Sequence, residues 1–456
     1  FKNAIIAKDP PTNEEDPDFS PEDVRYSTVR YVASTTRNAV GPSVSDPRTG
    51  EILESDIIWY HNHLRSYRNR YLIETGAANP KARSLNTPEE EIGEMMRRVI
   101  SHEIGHALGL PHNMKASSAY PVDSLRSGNF TQKFGIATSI MDYARYNYVA
   151  QPGDKNIRFV RQLGPYDDYS IEWGYRYFGE TPENEREILR KIVDSKSLNS
   201  IYMFGGYGND PNSQTENIGD DPVMASNYGI KNLKIVANNL ENWTLQPNDN
   251  YDDLNEIYGE LISVYRRYIY HVHNMVGGIY NTTHNSNQIG VITYLNTDVS
   301  KQKEALLFLE QNLWKTQDWL MKKELVSKIK DEGVLNSFQD LQTSALNRFL
   351  SVNKLNRMLS AQESLEGNAL AVDQLLNSLY NTIAKKPFSS DLFEQRLQLH
   401  FVERINSLMI EKDLNPTVKG LLMQLKNDFY SLSKRKSRFS TGKKRAHYNY
   451  LKSLSN

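Results

Sequence analysis

The sequence predicts an α+β domain over residues 1–180, followed by a mainly α-helical domain over residues 181–456 that holds a small strand pair near 278–297. Three observations lead there. Short alternating runs rich in β-branched and aromatic residues cluster before residue 60, one long helical stretch follows, and most apolar runs beyond Phe178 have a helical period.

From the start, Ala4 to Ala7 reads as a short strand ending at Pro10-Pro11, and the acidic, proline-broken stretch from Asn13 to Asp23 reads as a solvated loop. Val24 to Ala33 alternates and reads as a strand. Val40 to Val44 and Ile52 to Tyr60 flank the turn Asp46-Pro47-Arg48-Thr49-Gly50 and read as a hairpin or neighbouring strands. His61 and His63 follow as a His-x-His pair in a loop that could hold a second metal.

The central stretch runs from Thr87 to His112. Thr87 with Glu90 forms a capping box, and Pro88 takes the first helical position, where its missing N–H costs nothing. The helix should run about 22 residues to Gly109, the usual residue for a left-handed turn past a helix end. Within it His102 and His106 lie one turn apart and share a face, as two ligands of one metal must. Glu103 is placed to hold and deprotonate a water there, and Gly109 turns the chain so that His112 can return to the same ion. Three neutral nitrogen ligands leave a tetrahedral Zn²⁺ one open position, the mark of a catalytic site. The alternative is a buried helix with satisfied core histidines.

This His-Glu-x-x-His-x-x-Gly-x-x-His stretch resembles the metzincin zinc peptidase signature. The resemblance implies a zincin fold, a twisted mixed sheet with an active-site helix, and one catalytic zinc. It also implies a methionine turn, for which Ser139-Ile140-Met141-Asp142-Tyr143 is the candidate: Met141 would floor the site, and Tyr143 would be an extra metal ligand that swings away to stabilise the oxyanion. Metzincins place a further strand and a long helix ahead of this order, and neither is visible here, so the chain is expected to begin inside the domain.

In that family an edge strand binds substrate by strand addition, and Glu51 to Tyr60, with Ile57, Ile58 and Trp59, is the candidate. An ordinary edge strand is the alternative. The segment before the methionine turn, with Phe134 and Ile136, would wall the specificity pocket. Gly164 to Tyr175 resembles the closing helix of a metzincin domain, and the polar linker Gly179-Glu180-Thr181-Pro182 follows.

In the second half, Glu183 to Val193, Ala225 to Asn239, Tyr251 to Met275, Lys301 to Trp314, Val334 to Ser360, Ala369 to Ala384, Ser390 to Met409 and Pro416 to Leu432 have helical periodicity. The strand pair is expected around Ile289 to Tyr294. Gly219-Asp220-Asp221-Pro222, with Asn209 and Asp210, offers oxygen ligands that would suit Ca²⁺, or else a turn with capping aspartates. The basic runs Lys434-Arg435-Lys436-Ser437-Arg438 and Lys443-Lys444-Arg445, with two tyrosines nearby, would suit a nucleic-acid footprint, but in a neutral chain they read as a solvated tail or helix face.

The chain has 456 residues, a net charge of −1 and no cysteine. That length supports sizeable cores, and the charge gives no global basis for nucleic-acid partners. Disulfides and cysteine nucleophiles within the chain are excluded. No run approaches the roughly 18 apolar residues of a membrane span. Phe1 is not an initiator, so an upstream segment of the same polypeptide is expected as a partner.

The motifs, with Gly219 to Val223 and Tyr228-Gly229-Ile230-Lys231-Asn232-Leu233, look like those of large exported bacterial zinc-dependent metallopeptidases with a helical C-terminal extension. That resemblance implies an extracytoplasmic location, whether periplasmic, outer-membrane-anchored or secreted. The leading reading is a zinc endopeptidase acting on peptide or protein substrates, with Glu103 as general base. A scaffold module with a vestigial metal site, and a zinc amidase acting on a non-protein amide, remain as alternatives.

Overall fold

The computed structural model describes residues 4–208, 210–248, 250–285, 288, 290–329, 331–364, 369–386 and 391–456. Two compact units account for the chain: residues 1–67 with 89–111, and residues 68–88 with 112–456. By packing, residues 112–180 therefore group with the helical region, whereas the boundary expected near residue 180 is compositional. No helix is long and apolar enough to cross a membrane among the described residues.

The first unit has five short strands: β1 (Val29–Val32), β2 (Ala39–Val40), β3 (Ser43–Ser45), β4 (Ile52–Ser55) and β5 (Ile57–Tyr60). β1 pairs parallel to β5 with Val29 opposite Ile57, and β2 pairs antiparallel to β5 with Ala39 opposite Trp59. β3 and β4 form the hairpin expected across Asp46 to Gly50. β5 is thus the central strand of a three-stranded sheet, not an edge. Its alternation explains the burial, since Ile57 and Trp59 point to the core face. Ala4 to Ala7 forms no strand: Ile5 and Ile6 are exposed and lie in no ladder.

Helix α1 (His63–Thr75) forms where a loop with two histidines was expected. His63 lies against Trp59 and Tyr67, with ring centroids 5.4 and 4.4 Å away, and His61 Nδ1 meets the Tyr31 hydroxyl. Both histidines therefore have structural partners. Helix α2 (Glu89–Ala107) begins with three glutamates, favourable beside the positive end of the helix dipole, and packs on β2, β4 and β5. Its buried positions Met95, Arg98, Val99 and His102 recur at helical spacing, and the Arg98 guanidinium lies 4.5 Å from the Tyr67 ring centroid.

The second unit carries α3 (Gly128–Phe134), α4 (Pro165–Tyr175), α5 (Pro182–Lys196), α6 (Pro222–Thr244) and α7 (Asp252–His273). After the antiparallel pair β6 (Ile279–Asn281) and β7 (Tyr294–Asn296) come α8 (Val299–Asn312), α9 (Lys323–Val326), α10 (Asp331–Phe349) and α11 (Val352–Ser364). α12 (Val372–Leu379), α13 (Leu392–Met409), α14 (Pro416–Arg438) and α15 (Gly442–Leu454) complete it. The strand pair flanks the expected run, and Ile289 lies outside the described residues. The single helix expected over Val334 to Ser360 breaks after Phe349, so it forms α10 and α11.

One continuous apolar core fills this unit. α6 and α7 approach closely because position 229 is glycine: a Cβ there would sit 2.5 Å from Tyr268 Cε2. The basic runs fall in the last turn of α14 and the first turn of α15, a helix face.

Candidate metal centre

α2 ends in a turn built around Gly109, whose φ is +81°. The Leu110 N–H donates to the Gly105 carbonyl and the Gly109 N–H to that of His106, both at 2.9 Å, which is the Schellman pattern. The same turn brings the Leu110 carbonyl to His106 Nδ1 at 2.9 Å. An Nδ1–H donated there fixes the ring orientation and leaves Nε2 as the metal-facing nitrogen. His102 and His106 stand with ring centroids 4.8 Å apart. With His112 they place one ligand atom each within 4.8 Å of one another, and no other such group of three or more is formed among the described residues. Three imidazoles gathered this closely are a donor set suited to Zn²⁺.

Glu103, next to His102 on α2, is buried, and burial pushes its carboxyl up to about 7. The chain leaving β2 passes directly over it. A Cβ on Gly41 would lie 2.9 Å from the Glu103 carbonyl oxygen and 3.3 Å from its Oε2, so only glycine allows this approach.

Around His112, the Tyr143 ring centroid lies 4.4 Å and that of Tyr207 6.1 Å from the imidazole. Asn113, fully buried, ties three segments together. Its N–H donates to the Met141 carbonyl at 3.1 Å, its Oδ1 accepts from the Gly205 N–H at 3.1 Å, and its Nδ2 donates to the Met203 carbonyl at 3.0 Å.

The turn Ser139 to Tyr143 is held from α4. Asp167 accepts from the Ser139 hydroxyl at 2.5 Å, the Ile140 N–H at 2.8 Å and the Gly164 N–H at 2.9 Å. Asp142, fully buried, accepts from the N–H groups of Ser117 and Ala144, and burial pushes its carboxyl up to about 6. Met141 is fully buried in this turn.

Of the residues proposed for substrate contact, Ile57, Trp59 and Ile136 belong to the buried core. Ile58 is half-buried in a strand paired on both sides. Phe134 is partly exposed and packs on Phe130 with centroids 4.9 Å apart. The carboxylates considered for Ca²⁺ have structural duties: Asp221 caps α6, Asp220 accepts from the Val122 N–H, and Asp210 pairs with Lys115 at 2.7 Å. Asn209 lies outside the described residues.

Gly41, Asn113, Asp167 and Tyr207 were not anticipated. Asn113 directly follows the third histidine and Asp167 sits three residues into a Gly-Pro helix start, so both had local cues. Nothing in the sequence links Tyr207 to His112.

No curated protein and no solved structure matches this chain. The Met-zincin family model matches residues 84–390, which is more than half of the chain and includes α2, all three histidines and the methionine turn. The chain belongs to the Met-zincin family.

Proposed function

We propose that this chain is a zinc-dependent endopeptidase in which His102, His106 and His112 hold one zinc ion and Glu103 is the general base. Family membership supports a zinc metallopeptidase in general. The observation that carries the finer reading is a compact three-imidazole group with a buried glutamate, Glu103, directly following His102 on the same helix. An idle metal site has no physical need for that base.

Zinc bound by the three imidazoles would supply a Lewis acid that acidifies water and polarises the scissile carbonyl. Glu103 orients the attacking water, accepts its proton, and returns it to the leaving amine. Tyr143, packed on His112, donates its phenol to the developing oxyanion. Asn113 keeps the methionine turn and the 203–205 segment in register with His112.

The extended substrate adds to the outer edge of β2, since β5 is paired on both sides and the chain after β2 passes over Glu103. An extracytoplasmic location belongs to the same proposal and rests on the resemblance to exported metallopeptidases.

The test is exposure of an unstructured peptide library to the zinc-loaded protein, with Glu103→Ala as the blank and cut sites read by mass spectrometry. Internal cuts that vanish in the variant support the reading. A fully metallated protein that hydrolyses only non-peptide amides, releasing a carboxylate and an amine, would favour the amidase instead, and inertness towards both would favour the scaffold.

A further inference from the structure

The glycine-rich segment Gly205-Gly206-Tyr207-Gly208 separates the His112 cluster from a cavity of about 300 Å³. Tyr207 belongs to both. Its ring stands 6.1 Å from that of His112 and 6.3 Å from that of Tyr143, and it also lines the cavity, whose other walls come from β6, β7 and α11. The cavity therefore begins one side chain away from the third imidazole.

Its charge is unbalanced. Lys115, Asp210 and Arg357 are the charged residues that line it. Lys115 Nζ and Asp210 Oδ2 pair at 2.7 Å and cancel. Arg357 donates from Nη2 to the Gly277 carbonyl at 3.2 Å, and its Nε is buried without a hydrogen-bond partner among the described residues. No carboxylate among the described residues pairs with it. Lys354, one turn earlier on α11, is also buried, with its Nζ 4.9 Å from the Phe349 ring centroid, and it too lacks a carboxylate partner among the described residues. A guanidinium on the wall with no carboxylate partner among the described residues leaves a positive field that an incoming anion would relieve.

We propose that this cavity is a subsite for a carboxylate of the substrate, and that Arg357 is its specificity-determining residue. The carboxylate comes from an Asp or Glu side chain or from the free C-terminus of a peptide. The Asn281, Thr283 and Tyr294 side chains stand at the same wall as further hydrogen-bonding groups. At Gly206 and Gly208 a Cβ would meet nothing within 4 Å, so the segment leaves open room beside Tyr207. The helical region thereby contributes directly to substrate choice. This proposal rests on the peptidase reading, but its test does not depend on turnover.

The experiment uses matched peptides with Glu or Gln scanned through positions flanking a cut site, each made with a free or amidated C-terminus. kcat/KM is measured on the zinc-loaded wild type, and binding of the same pairs to zinc-loaded Glu103→Ala is measured by calorimetry. One charge-assisted pair in a desolvated site should favour the acidic or free-acid member by about tenfold or more, chiefly through KM and Kd. Arg357→Gln should shrink that gap to less than about twofold, and Arg357→Lys should keep part of it. A preference that follows the scanned residue identifies a side-chain carboxylate, and one that follows amidation identifies the terminus.

Equal kcat/KM and equal binding across every pair would overturn the proposal, as would Arg357→Gln weakening acidic and neutral peptides alike. Should Arg357→Gln fail to fold, the wild-type pairs still decide. Should the wild type cut nothing, the peptidase reading fails while calorimetry still reports on the cavity.

Discussion

The Leu110 carbonyl accepts a hydrogen bond from His106 Nδ1 at 2.9 Å, and it reaches that nitrogen because Gly109 turns left-handed with φ +81°. Helix termination and orientation of the candidate ligand His106 are therefore one structural event. Gly109→Ala forces an L side chain into that conformation, at a cost of about 1–2 kcal/mol. Zinc affinity should fall by about tenfold or more, as it does when the partner orienting a ligand is disturbed. Competition with a zinc chelator would measure it, and an unchanged affinity would separate the turn from the metal.

Gly41 makes the corresponding demand on Glu103. A Cβ there would lie 2.9 Å from the Glu103 carbonyl oxygen and 3.2 Å from its Cβ, so Gly41→Val must move one of the two segments. Displacement by a fraction of an ångström should lower kcat by about a hundredfold while zinc stays bound. Steady-state kinetics with metal analysis checks both halves of that statement.

Asp167 carries the methionine turn by accepting from Ser139, Ile140 and Gly164. In Asp167→Asn the amide oxygen can keep the two N–H groups that Oδ2 accepts, but an NH2 then replaces the oxygen that accepts from the Ser139 hydroxyl. The variant should lose about 1–3 kcal/mol of stability, readable by urea unfolding. Zinc affinity should fall less than in Gly109→Ala, because no imidazole loses a partner.

Glu216 is surrounded by Arg145 at 2.8 Å, Arg267 at 3.1 Å and Arg70 at 3.5 Å. Burial works to raise its carboxyl, but these guanidinium groups outweigh that and hold it well below the ordinary value of 4.5. With the folded pKa depressed, the unfolded chain takes up the proton first. The stabilisation is thus fully present above about pH 4.5 and drains away as pH falls. Glu216→Gln should flatten that acid dependence and cost about 1–3 kcal/mol at pH 7, since the charge-assisted hydrogen bonds from the part-exposed Arg145 and Arg267 are weakened. Urea unfolding across pH 3–7 tests the slope and the loss together.

The legible parts of this protein are those specified by short-range spacing. α2, its glycine stop, the three histidines and α4 all follow from offsets of a few residues, and the helices of the second unit announce themselves by period. What stayed hidden depends on contacts between distant segments. β5 reads like an edge strand until β1 and β2 are seen to pair with it from both sides. α1 was missed because arginines and asparagine interleave with Tyr67, Tyr71 and Leu72, which blurs the apolar face. The break between α10 and α11 has no glycine or proline to mark it. Tyr207 reaches His112 only through the hydrogen bonds of Asn113 to Met203 and Gly205, which no local pattern encodes.

The central claim is that Glu103 moves the proton while the imidazoles hold the metal. The most direct measurement is kcat on a cleavable peptide for zinc-loaded wild type and Glu103→Gln, with bound zinc quantified in the same samples. The account predicts one zinc per chain in both proteins and a loss of at least about a hundredfold in kcat for the variant. A Glu103→Gln protein that retains its zinc and turns over at the wild-type rate would contradict it.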